Sequence, residues 1–466
     1  MKVLFCASEV FPFAKTGGLA DVCGTLPLAL EDHGVDVSVI LPRYKSVSIK
    51  KFGLKKINKE LYSTKIGRNV KVLFLENEKL FGRDGLYGYN GGDYPDNLDR
   101  FQYYSRRTVD LLKELDLKFD IIHCHDWHAA LIPVYMKTIY KSDPAFKKVK
   151  SVLTIHNLAY QGLFPKSDFS KVGLPLRLLR PDALEFYGQI NLLKGGIVFS
   201  DRVTTVSPQY AREIQTEQLG LGLDGVLRNK EESVRGILNG LDYRIWNPAR
   251  DKFLVKKYSK ETFEKKNENK KDLQKALKLK VQSDIPLFGF IGRMTEQKGI
   301  QLILDAMNDF LKIDMQIVLL GNGEESYHAA LREIAAEYPK KVAVALKLSE
   351  SWAHRIYAGS DFFLMPSSFE PCGLSQMISL KYGTIPIVYR TGGLIDTIEH
   401  LNGGTGNGFV FNEYTKEALV RMVKKAVEIY RQKSVFNRIV KKTFDYDFSW
   451  DKPAAEYRKL YEECLG

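Results

Sequence analysis

The sequence predicts an α/β protein with two doubly wound domains, and three observations carry that expectation. The chain has 466 residues, more than one hydrophobic core ordinarily serves. Short apolar runs alternate with amphipathic stretches, as in a mostly parallel sheet covered on both faces. The alternation stops near residue 240 and then starts again.

In the first half the runs 3–6, 37–41, 70–75, 121–123, 151–155 and 202–206 read as strands, with helices such as 101–115 and 129–140 between them. In the second half 287–291, 316–320, 342–346, 362–365 and 385–388 read as strands, with helices such as 300–310 and 375–381. Gly240 and Pro248 punctuate a joint at 239–248. The expected division is 1–240, 241–450 and a last helix, 451–466, that crosses back onto the first domain. Two such sheets would face each other across a cleft at the carboxyl ends of their strands, where open α/β sheets bind ligands.

Composition narrows the function. Apolar residues make up 44% and charged residues 27%, as in ordinary globular proteins. The apolar run MKVLFCASEV stops at a glutamate and reads as a buried strand rather than an export signal. No apolar run is long enough to span a bilayer. Five scattered cysteines without a CxxC pair argue for reduced thiols in a cytoplasmic enzyme. The net charge of +13 admits a nucleic-acid partner. The lysines concentrate between 252 and 280, however, with acids interleaved, which suits a solvated helical face. The excess charge would still steer an anionic small molecule.

Three segments carry phosphate chemistry. Lys15-Thr16-Gly17-Gly18-Leu19-Ala20-Asp21 sets a cation and glycines between a strand and a helix, where a phosphate can approach backbone N–H groups. A Gly-Gly pair there also serves simply as a turn. The form repeats at Arg390-Thr391-Gly392-Gly393-Leu394-Ile395-Asp396. It is neither GxGxxG nor Walker A, so a dinucleotide or ATPase reading gains nothing. Arg293 and Lys298 follow the run 287–291 and can converge on a diphosphate, or can be ordinary loop charges. In Ser367-Ser368-Phe369-Glu370-Pro371-Cys372-Gly373-Leu374-Ser375-Gln376, an acid precedes a turn that opens a helix. The N–H groups near Leu374 and Ser375 suit phosphate, and Glu370 suits sugar hydroxyls or the helix dipole. His123, His125 and His128 lie together, but no second ligand cluster has metal spacing, so no metal is expected. His156 ends a predicted strand and can be a structural hydrogen-bonder.

Six segments in order, KTGGLADV, HDWH, THNLAYQG, NGLDYRIWNP, GRMTEQKG and FEPCGLSQM, span nearly the whole chain. Together they closely resemble the bacterial glycogen synthase and plant starch synthase family. The resemblance implies a GT-B fold of two Rossmann-like domains, acceptor side first and donor side second. It implies retaining, metal-free and cofactor-free transfer of glucose from ADP-glucose to the non-reducing 4-OH of an α-1,4-glucan such as glycogen. It places Lys15 and Gly18 at the diphosphate and transferring sugar, with Asp21 nearby. Asp126 is placed toward sugar and acceptor, His156 at the glucose 6-OH beside the anomeric centre, and Asn239 at the sugar. Arg293 and Lys298 neutralise the leaving phosphates. Glu370 contacts the sugar, with Cys372, Gly373, Leu374 and Ser375 beside it. Neither nucleic acid nor membrane is an expected partner.

Two positions depart from the pattern. A second glutamate eight residues after the first is replaced by Ile378, which removes a ribose contact. Lys347-Leu348 stand where relatives often carry a base-stacking aromatic, which leaves the choice between ADP and UDP open. Aromatic faces between Tyr94 and Phe101 offer glucan contacts or core packing. The rivals are another GT-B transferase, a phosphorylase (which needs a pyridoxal-bearing lysine and a longer chain) and a non-catalytic glycan binder.

Overall fold

The computed structural model describes residues 1–89, 91–230, 234–347, 349–402 and 405–466. Leu348 lies outside these. The chain divides into two compact units, Met1–Gly240 with Trp450–Gly466, and Leu241–Ser449.

The first unit begins with strands Lys2–Cys6 (β1), Asp36–Pro42 (β2), Lys55–Lys56 (β3), Leu61–Ile66 (β4) and Val70–Leu75 (β5). A hairpin of Gly88–Tyr89 (β6) and Gly92–Asp93 (β7) follows, then Ile121–His125 (β8) and Lys150–Ile155 (β9). Leu163–Pro165 (β10), Glu185–Phe186 (β11) and Gln189–Asn191 (β12) form a small separate sheet. Arg202–Thr205 (β13) and Val234–Gly236 (β14) return to the main sheet, whose order is β14-β13-β9-β8-β1-β2-β5-β4-β3. Pairing is parallel except at β3–β4 and β4–β5. β1 is apolar almost throughout because both faces are covered, and Val3, Leu4, Phe5 and Cys6 are fully buried. β4, between β5 and the two-residue edge strand β3, escapes the apolar-run pattern because LYSTKI is half polar, as suits an antiparallel strand with one solvated face.

The last helix, Asp451–Leu465, belongs to the first unit. Asp451 meets His33 at 2.9 Å, Arg458 donates to the His33 carbonyl, and the Tyr461 hydroxyl lies 2.7 Å from His123 Nδ1. The expected helix at 129–140 is shorter, Leu131–Lys137, preceded by a 3-10 turn at Trp127–Ala129.

The second unit is one parallel sheet of Leu287–Ile291 (β15), Gln316–Leu320 (β16), Val342–Ala345 (β17), Phe362–Met365 (β18), Ile385–Tyr389 (β19) and Phe409–Phe411 (β20). Its order is β17-β16-β15-β18-β19-β20. Counted from its own first strand, that is the 3-2-1-4-5-6 order of nucleotide-binding sheets, with the switch point between β15 and β18. Phe288, Phe290, Ile303, Leu319, Phe362, Leu364 and Ile387 build its core.

The lysine-rich stretch is not simply a solvated face. On the helix Lys266–Ala276, Lys266, Asn269, Lys270, Leu273 and Gln274 are all buried. Lys270 Nζ pairs with Asp361 at 2.7 Å and donates to the Tyr430 hydroxyl. Lys266 Nζ donates to the carbonyls of Tyr357, Ala358 and Tyr382 and to Thr384 Oγ1.

Candidate active site

In each sheet several candidate residues follow the strands at the switch point, while His156 and Asn239 follow β9 and β14. In the first unit the strand order reverses between β1 and β8. The loop after β1 carries Lys15 and Gly18, and the loop after β8 carries Asp126. Lys15 Nζ is exposed and lies 2.6 Å from Asp21 Oδ1, so the motif's own acid holds its cation. The helix Gly18–Asp32 starts after Gly17, whose φ of −155° is extended backbone open to any residue.

Glu9, which in the sequence only ends an apolar run, organises this loop. Its buried carboxylate accepts the Thr16 and Gly17 N–H groups, the Thr16 hydroxyl at 2.6 Å and the Tyr87 hydroxyl at 2.7 Å. An acid satisfying consecutive N–H groups fixes the loop before any ligand arrives. A methyl group added at Gly17 would meet nothing in the protein. Gly17→Ala is therefore expected to leave Tm unchanged while raising KM for a diphosphate donor about tenfold, roughly 1.4 kcal/mol. Steady-state kinetics beside a melting curve check this.

Asp126 and His156 act together. The Asp126 carboxylate accepts the His156 N–H at 2.7 Å and is also bonded by the Asn157 backbone. Its φ of 57° is unusual for a non-glycine residue and marks a held conformation. Asp126 is thus turned toward the backbone that carries His156. Burial pushes its carboxyl up to about 7, against the two backbone hydrogen bonds. His156 Nε2 lies 3.0 Å from His125 Nδ1. Burial drives the His156 imidazole down to about 3, so the ring is neutral.

His123 lies between Tyr461 and Thr154, with Thr154 bonded on to Thr204, which fits a structural role. His128 stacks on Tyr87 and Trp127. The three histidines of the HCHDWH segment do not converge on one ion. His125 instead gathers with Cys23 and His156, a combination that no linear spacing shows.

Burial holds His123, His125, His128 and His156 all below the ordinary imidazole value. Below about pH 6.5 the unfolded chain therefore binds protons that the folded chain refuses, and the stability these groups contribute is lost as pH falls. Asp126, raised from 3.8 to about 7, acts in the opposite sense, as one group against four. Tm is expected to fall between pH 7 and pH 5 in a scanning-calorimetry series.

In the second unit Lys298 and Glu370 come from the loops after β15 and β18, on the two sides of the switch point. Lys298 Nζ lies 2.6 Å from Glu370 Oε2, which Ser367 Oγ also reaches at 2.9 Å. Glu370 is only 5% exposed and is sequestered by this pair. The Ser368 N–H donates to the Gln297 carbonyl at 2.9 Å, and a Cβ on Gly299 (φ 72°) would strike Pro366, so the two loops are locked together. Arg293 is exposed at the head of the first of them.

The second Gly-Gly segment serves the Glu370 loop. The Gly393 N–H donates to the Glu370 carbonyl at 3.0 Å, and a Cβ on Gly393 would collide with the Cys372 backbone. Gly373 takes φ 73° ahead of the helix Ser375–Lys381, at whose N-cap Leu374 sits. Ser375 hydrogen-bonds Tyr357, and Cys372 is buried. Asn239 is buried, and its Oδ1 has no partner among the described residues.

Phe101 is fully buried against Trp127 and His128, and Arg100 and Arg83 face the Tyr94 ring. Phe101 is core, not a glucan platform. Ile378 is likewise buried inside its helix.

Residues 2–229 match the family model described as the starch synthase catalytic domain, and residues 270–443 match that of glycosyl transferases group 1. The glycogen synthase of Thermotoga maritima is 46% identical over 487 aligned positions, covering 100% of this chain and 99% of that protein. The chain belongs to the glycogen and starch synthase family. Another relative in that family, the glycogen synthase of Geotalea daltonii, is 47% identical, covering 100% of this chain and 99% of its own. The catalytic domain of starch synthase IV from Arabidopsis thaliana, bound to ADP and acarbose, superposes with a TM-score of 0.92 at 34% identity, covering 99% of each chain. A sucrose-phosphate synthase from Thermosynechococcus elongatus, at 15% identity and a TM-score of 0.62 over 99% of this chain and 98% of its own, shares the fold. The chain is a glycosyltransferase with the GT-B fold of the family, and its activity is glycogen synthesis. Among the described residues no helix is long and apolar enough to cross a membrane.

Proposed function

We propose that this member of the family transfers glucose from ADP-glucose to the non-reducing 4-OH of an α-1,4-glucan with retention, releasing ADP. The observation that carries the reading is the Lys298–Glu370 pair at the switch point of the second sheet. Departure of the donor's diphosphate builds negative charge on ADP and positive charge on the anomeric carbon. Arg293, Lys298 and the N–H groups near Leu374 and Ser375 oppose the first charge. Glu370, relieved of Lys298 as the phosphates take that cation, is left to accept sugar hydroxyls beside Cys372 and Gly373.

In the first unit Lys15, supported by Asp21 and flanked by Gly18, serves the diphosphate and the transferring sugar. Neutral His156, aimed by Asp126, donates or accepts at a sugar hydroxyl without adding charge, and Asn239 offers its unfilled Oδ1. The C1–O bond to phosphate breaks as the C1–O4 bond forms, and the acceptor's proton passes to the departing phosphate oxygen. No protein atom bonds to the sugar. A glucosyl adduct trapped on Glu370 or Asp126 and found by peptide mass mapping would contradict this.

The same reading places the enzyme in the cytoplasm, which its five free cysteines support. The product tests the linkage. Label transferred to glycogen should be released as maltose by β-amylase, which removes α-1,4-linked ends. Label that resists release would overturn the regiochemistry. UDP-glucose remains the alternative donor because Lys347-Leu348 stand where relatives often carry a base-stacking aromatic.

A further inference from the structure

We propose that Cys23, His125 and His156 form a binding site for a thiophilic divalent cation of the zinc class, and that its occupation inhibits transfer. The three residues arrive from separate elements: the helix Gly18–Asp32, the end of β8 and the residue just past β9. One ligand atom from each lies within 4.8 Å of the other two. The nitrogens His125 Nδ1 and His156 Nε2 are 3.0 Å apart. Two imidazole nitrogens on one tetrahedral zinc stand about 3.3 Å apart, given Zn–N bonds of about 2.0–2.1 Å, so this pair is close to the separation of co-ligands.

Binding one ion through this close pair displaces the proton that His125 Nδ1 and His156 Nε2 share. His125 Nε2, buried with no hydrogen-bond partner among the described residues, is free to keep the ring's own proton. Cys23 and His125 are buried and His156 is half-buried, which gives an ion its way in. Three protein ligands leave a fourth position for water. As the sulfur–metal bond forms, the Cys23 thiol gives its proton to solvent.

Metal binding rests on this geometry alone. Inhibition rests additionally on the reading of His156 as a sugar contact, because a ring held by the cation is withdrawn from the sugar.

The test is titration of Co²⁺ into the metal-free full-length protein, following thiolate-to-cobalt charge-transfer absorption. One equivalent per chain, displaced by Zn²⁺, is expected. Cys23→Ala should lose the band and weaken binding at least tenfold. Cys124→Ala, which removes a buried thiol on β8, should keep it. Absence of a sulfur band in the parent protein, or a band that survives Cys23→Ala, overturns the site. Should Cys23→Ala fail to fold, an anomalous difference map from a zinc-soaked crystal decides. A peak within bonding distance of Cys23 Sγ and both rings supports the site, and a map without one overturns it. Inhibition by Zn²⁺ that a chelator reverses supports the second half, whereas occupied but fully active enzyme overturns that half and leaves the metal site standing.

Discussion

Glu370→Ala is expected to lower kcat for glucosyl transfer by about 10²–10³-fold, the range seen when one preorganised polar group is removed from a transition-state site. The substitution deletes a buried carboxylate that touches Lys298 and Ser367, at 2.6 and 2.9 Å. It does not cut the backbone lock, because the Gly393 N–H still reaches the residue-370 carbonyl. The protein should therefore fold, and circular dichroism should match that of the parent. Lys298→Ala should be similarly severe, since it removes a phosphate cation and strands Glu370 as an unpaired buried charge. Residues that act as a unit are not additive. The double variant should thus lose little more than the worse single one, and full additivity would mean that the pair does not work as one device.

Lys266→Met is expected to cost about 3 kcal/mol of stability, read by chemical denaturation. Lys266 Nζ donates to the carbonyls of Tyr357 and Ala358, in the last turn of the helix Glu350–Gly359, and to the Tyr382 carbonyl just beyond the helix Ser375–Lys381. Thr384 Oγ1, at 2.7 Å, completes the set. Helix C-termini expose carbonyls without partners and carry negative partial charge, so one ammonium satisfies two ends at once. Burial drives its pKa down to about 7. Methionine fills a similar volume, and the Tyr258 and Thr384 hydroxyls still reach the Tyr382 and Tyr357 carbonyls, but the Ala358 carbonyl and the Thr384 Oγ1 lone pair lose their donor, at roughly 1–3 kcal/mol for each unsatisfied group before relaxation. One of the two helices begins at Ser375, so a loss of donor affinity should accompany the loss of stability.

Much of this was legible in the chain. The strands of the second sheet follow from apolar runs such as LFGFI and QIVLL, because parallel strands covered on both faces need no alternation. The loops with Lys15, Lys298 and Glu370 stood out only because six motifs come in order along the chain; each alone also suits an ordinary turn, loop charge or helix start. What stayed hidden has physical causes. The buried stripe of Lys266, Asn269, Lys270, Leu273 and Gln274 has helical periodicity but polar chemistry, so a reading by hydrophobicity placed the lysines in solvent. Glu9 and His125 act through partners that only the fold brings near, on the loop it caps and on the next strand. Phe101 stayed open between sugar platform and core because an aromatic face has the same sequence signature in both, and the fold puts it in the core.

The most direct test is incorporation of labelled glucose into glycogen, from ADP-glucose and UDP-glucose in parallel, by the parent enzyme and by Glu370→Ala. Transfer from ADP-glucose that collapses by about 10²–10³-fold in the variant is the predicted result. Undiminished transfer by Glu370→Ala, or no transfer from either donor by folded parent enzyme, would contradict the account.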